Sequence, residues 1–110
     1  MTTKEKDIID KIKNAIIKKD PMADIILFGS HAKGTATPDS DWDILILLNQ
    51  LNVSRKTEQE FRYSLIDVEI EIGEVISTFV YSKSDWENKF HLSSLYESVN
   101  KEGIHLNEGK

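Results

Sequence analysis

The chain has 110 residues, 39% of them hydrophobic and 30% charged, a balance that excludes disorder and suits one domain over 1–110, with no room for a second core. It has no cysteine, which removes thiol catalysis, thiolate zinc sites and iron–sulfur clusters. Nineteen acids against fourteen bases give a formal net charge of −5, which argues against a long nucleic-acid footprint, since that binding rests on basic residues displacing counterions.

In the first twenty residues charges recur every few positions, unlike the apolar core of a signal peptide, and no stretch approaches the roughly 18 apolar residues of a spanning helix. A cytoplasmic protein without a membrane partner is expected. Ile8, Ile9, Ile12, Ile16 and Ile17 recur at helical spacing, so the chain opens on an amphipathic helix that Asp20-Pro21 stops. ADIILF, residues 23–28, reads as a buried strand ended by Gly29-Ser30. GSHAKGTATPDS, residues 29–40, has the composition of a functional loop or a short helix within one. DWDILILL then reads as a second buried strand entered at its polar end.

Phe61, Leu65, Val68 and Ile72 form a helical stripe, with Ser54 as N-cap and Gly73 just past the end, which predicts a helix over 55–72. VISTFVY reads as a third strand. Ser84-x-x-Glu87 and Ser94-x-x-Glu97 fit capping boxes and predict two short helices, the last ending at Gly103 and leaving IHLNEGK as an edge segment or tail. The order α-β-β-α-β-α-α implies an α/β (α+β) domain: a small mixed sheet backed by helices.

The stretch ILFGSHAKGTATPDSDWDILI carries the chemistry. Alternate residues of a strand share a face, so Asp41 and Asp43 aim at one point, and two close carboxylates that share a cation make a hard divalent site suited to Mg²⁺ with substrate phosphates. Gly29 admits close backbone approach to a ligand, and Ser30, opening a helical turn, offers free N–H groups and a hydroxyl to an anion. A phosphate turn beside a metal-binding pair is equipment for in-line transfer at phosphorus.

Gly29-Ser30, Lys33-Gly34 and Ser40-Asp41-Trp42-Asp43, with both flanking strands, resemble the nucleotidyltransferase signature of the polymerase-beta superfamily, and most nearly its minimal, single-domain nucleotidyltransferases. The resemblance implies the nucleotidyltransferase fold, with Gly29, Ser30 and Lys33 at the nucleotide's phosphates and Asp41 and Asp43 as metal ligands and catalytic residues. It implies a Mg²⁺-dependent transfer of NMP, AMP from ATP, to a hydroxyl. It also implies a third carboxylate on the following strand. That strand, Val75 to Val80, has no acid, so Glu74 or Glu71 is the candidate substitute. In the minimal group the resemblance points to a HEPN-type partner, an all-helical ribonuclease toxin that the nucleotidyltransferase neutralises by adenylylation. The alternative is a degenerate binding module that neutralises the partner by contact alone, and a third reading is transfer to a small molecule such as an aminoglycoside. His31 is expected beside the phosphate turn, and Trp42 on the opposite strand face, packed under a helix.

Overall fold

The computed structural model describes residues 1–109. Helix α1 (Thr3–Lys19) leads to strand β1 (Asp24–Phe28), the single turn α2 (Ser30–Lys33), strand β2 (Trp42–Leu48) and helix α3 (Arg55–Ile72). Strand β3 (Ile76–Ser82), helices α4 (Lys83–Lys89) and α5 (Ser94–Glu102), and strand β4 (Ile104–Asn107) complete the chain. The mixed sheet and its helices match the expected class. Of the segment IHLNEGK, Ile104–Asn107 form an edge strand, β4, antiparallel to β1, and Lys110 lies outside the described residues.

The sheet order is β3-β2-β1-β4, with β2 antiparallel to β1 and parallel to β3. Alternation along the strands divides the side chains between two cores. Ile25, Leu27, Trp42, Ile44, Ile46 and Leu48 pack against Ile8, Ile12 and Ile16 of α1 and Phe61, Leu65 and Val68 of α3. Ile26, Phe28, Leu45 and Leu47 pack on the other face with Trp86 of α4 and Val99 of α5. Both faces of β2 are thereby covered, which explains why ILILL is an unbroken apolar run rather than an alternation.

The caps of α3 fall where the sequence places them: Ser54 accepts from the Thr57 amide at 3.1 Å, and Gly73 closes the helix with φ +71°. The two short helices start differently. Ser82, not Ser84, caps α4 by accepting from the Asp85 amide at 3.0 Å, and Ser93, not Ser94, caps α5 by accepting from the Tyr96 amide at 3.1 Å. In both, the serine whose spacing reaches the N3 amide is the earlier one, and the matching Ser-x-x-Glu pattern lies inside the helix.

Candidate active site

β1 ends at Phe28, directly opposite Asp43 in the antiparallel register, so the turn that follows β1 lies at the entrance of β2. Gly29 occupies that turn with φ +75° and ψ −158°, a region open essentially to glycine alone. A Cβ there would overlap the Asp43 carboxylate. The glycine therefore does more than admit a ligand: it lets the turn and the acid occupy adjoining space.

The Ala32 and Lys33 amides both donate to the Gly29 carbonyl at 3.1 Å, which closes the single turn of α2. The amides of Ser30 and His31 have no carbonyl to donate to within that turn. A one-turn helix has little macrodipole, so what it offers an anion is these amides and the Ser30 hydroxyl.

Asp41 is exposed and Asp43 is half-buried. Burial, followed by the negative charge of Asp41, holds the Asp43 carboxyl above the usual range, with His31 opposing. A half-buried carboxylate held beside a second one is a site prepared for a shared cation, and the pair fits Mg²⁺ as two hard oxygen donors. Ser77 stands beside Asp43 in the parallel register, and its hydroxyl donates to Asp41 Oδ2 at 3.1 Å. The strand on which a third acid was expected thus offers a hydroxyl. Sequence reading missed Ser77 because it searched that strand for a carboxylate; the period-two alternation that puts Asp43 on its face was the available signal.

Glu74 is placed elsewhere. Its carboxylate accepts from the indole Nε1 of Trp42 at 3.2 Å, and among the described residues no three acids, histidines or cysteines gather as a metal site. Glu74 is therefore not brought to the metal pair, because Trp42 faces away from the two aspartates and takes Glu74 with it. Glu71 is not brought there either; it pairs with Lys11 of α1 at 3.3 Å. Lys33, expected at a phosphate, has its ammonium 3.3 Å from Glu102. Trp42 is 1% exposed and packs under the α1–α3 layer as expected. His31 stacks on it, ring centroids 3.6 Å apart and planes within 8°, with neither ring nitrogen bonded among the described residues. That stack fastens α2 to β2 from behind the aspartates. A hollow of about 860 Å³ between α1 and α3 contains none of the motif residues.

The family model described as "Nucleotidyltransferase domain" matches residues 9–105, nearly the whole chain. The chain belongs to the nucleotidyltransferase domain family. "Putative protein adenylyltransferase MJ0141" of Methanocaldococcus jannaschii is 34% identical to this nucleotidyltransferase over 85 residues, 71% of this chain and 80% of that protein. Among solved structures, a chain of a toxin–antitoxin complex with AMP-PNP superposes with a TM-score of 0.66 at 20% identity, covering 93% of this chain and 74% of that one. A chain of the complex between the tri-AMPylated Shewanella oneidensis HEPN toxin and its MNT antitoxin does so with a TM-score of 0.60 at 17% identity, covering 92% and 70%. These likenesses establish the fold. The family and the adenylyltransferase relative make the chain a transferase of nucleoside monophosphates, and among the described residues no helix is long and apolar enough to cross a membrane.

Proposed function

We propose that this nucleotidyltransferase moves AMP from ATP to a hydroxyl of a protein acceptor, a HEPN-type helical toxin, with Mg²⁺. The observation that carries the reading is Asp41 and Asp43 set against the Gly29 turn, the acids poised to share a cation and the turn's amides free for phosphate. Asp41 and Asp43 would hold the ion, which when bound supplies charge neutralisation at the triphosphate. Gly29 and Ser30 orient the phosphates. Ser77 donates to the exposed Asp41 carboxylate and restrains its orientation. The acceptor oxygen forms a bond to the α-phosphorus as the bond to the pyrophosphate oxygen breaks, and the acceptor's proton passes to solvent or to an oxygen of the site. The relatives whose names speak of protein adenylylation, an AMP-PNP complex and an AMPylated HEPN toxin support this choice of nucleotide and acceptor.

The hydroxyl of Ser77 in place of an acid favours a second reading, a contact-only antitoxin, because a hydroxyl does not accept the acceptor's proton as a carboxylate does. Transfer of label from [α-³²P]ATP to a HEPN-type protein separates the two. The enzyme labels it, and Asp43→Asn lowers the rate by about a hundredfold or more, as loss of a key electrostatic group does. No labelling by wild type, together with equal silencing of the toxin by wild type and Asp43→Asn, leaves the contact-only reading.

A further inference from the structure

We propose that two copies of this chain pair through their β3 edges, antiparallel about a two-fold axis, with their α3 helices side by side on one face of the joined sheet. β3 is a terminal strand, bonded to β2 alone. The Trp42 amide donates to the Val75 carbonyl at 2.9 Å, which turns the backbone groups of residues 75, 77, 79 and 81 toward β2 and those of Ile76, Thr78 and Val80 outward. No hydrogen bond among the described residues reaches these outward groups. An unpaired edge is a template for another strand, and soluble proteins blunt such edges with shortness, bulges, proline or charge. The opposite edge is blunted: β4 has 4 residues and its pairing slips between Ile25 and Ile26. β3 runs 7 residues, ISTFVYS, with no proline, no charge and no slip.

Antiparallel pairing with Phe79 opposite Phe79 of the second copy sets Thr78 against Val80, outward groups against outward groups.

The helix above the strand meets the same axis. α3 turns back into β3 through Gly73–Val75, so the roughly 13 Å from Val75 to Phe79 at about 3.3 Å per residue corresponds to about nine helical residues, and the axis passes near residue 64 or 65 of α3. There the outer face of α3 exposes Tyr63, Ile66 and Ile70 at helical spacing, Ile70 76% exposed. Two such helices, antiparallel about that point, set Ile66 over Tyr63 of the second copy and bring Arg62 within reach of Glu69 twice. Arg62 reaches Glu58 through Nε at 3.0 Å, which leaves its terminal NH₂ groups for a second carboxylate. From Tyr63 to Ser82 the chain has four acids and no base, so Arg62 is the cation this pairing supplies. Strand edge and helix face point to one two-fold, and no part of this rests on the catalytic reading.

Light scattering on the full chain after size exclusion tests it. At high micromolar concentration the expected mass is twice 12.6 kDa. Thr78→Pro removes an outward amide without touching the β2 ladder, so it should give a monomer with wild-type circular dichroism. Arg62→Glu should weaken the dimer about tenfold, and Arg62→Glu/Glu69→Arg should restore it. A monomeric wild type overturns the proposal, as does a folded Thr78→Pro that dimerises normally. If Thr78→Pro fails to fold, the charge swap decides alone: no loss on Arg62→Glu, or no recovery in the double variant, overturns it. A monomer whose Thr78 and Val80 amides become protected from hydrogen exchange only on adding a HEPN-type protein gives the edge to that protein and equally overturns the pairing.

Discussion

A side chain at Gly29 would meet two penalties at once: a backbone region costing of order 1–3 kcal/mol for other residues, and overlap with the Asp43 carboxylate. Gly29→Val should therefore push Asp43 out of place and weaken Mg²⁺–ATP binding at least tenfold by calorimetry while the circular dichroism stays close to wild type; normal binding by the folded variant refutes this account of the turn. Asp43 carries its own pH signature. Burial and then Asp41 raise its folded proton affinity above the unfolded value, so the ionised form opposes folding above the folded pKa, and that penalty vanishes below the unfolded one. Without metal, Asp43→Asn should melt no lower than wild type at neutral pH, with any advantage closing as pH falls through the carboxylate range. A variant that melts clearly lower at neutral pH would show that Asp43 stabilises the fold instead. The same sign makes wild-type Mg²⁺ affinity rise with pH across that window, because the ion competes with the proton.

At the scale of elements, Ser82 shows one residue serving two. It ends β3, is fully buried, and caps α4 through the Asp85 amide at 3.0 Å. Ser82→Ala should cost about 1 kcal/mol in urea unfolding, while Ser84→Ala, two residues further on, should cost much less; equal costs would mean the cap is shared. The sequence reading placed the cap at Ser84-x-x-Glu87, and it falls instead to Ser82 because the strand's pairing with β2 runs to Leu48↔Ser82 before the chain can turn. α3 left no such ambiguity. Its apolar stripe and both caps agree on 55–72, so local and tertiary preferences coincide.

For the whole molecule, two apolar cores on opposite faces of the sheet hold the fold without a metal. EDTA should leave the melting temperature unchanged, whereas ATP with Mg²⁺ should raise it, by about 2.7 kcal/mol of native-state stabilisation at a hundredfold excess over Kd; an equal rise from ATP in EDTA would overturn a cation-bridged site. The sequence by itself determined the strand–turn–strand with Gly29-Ser30 and Asp41-x-Asp43, because a glycine turn and a period-two carboxylate pair are local geometry, and it determined α1, α3 and the buried strands through their periodicity. Only the tertiary structure decided what those residues meet. β2 lies parallel to β3 in a register that sets Ser77, and no acid, beside Asp43; Trp42 draws Glu74 to the far face; α5 brings Glu102 to Lys33. Each of these is a contact between residues 30 to 70 positions apart, and strand register and helix docking create such contacts without leaving a periodic trace in either segment.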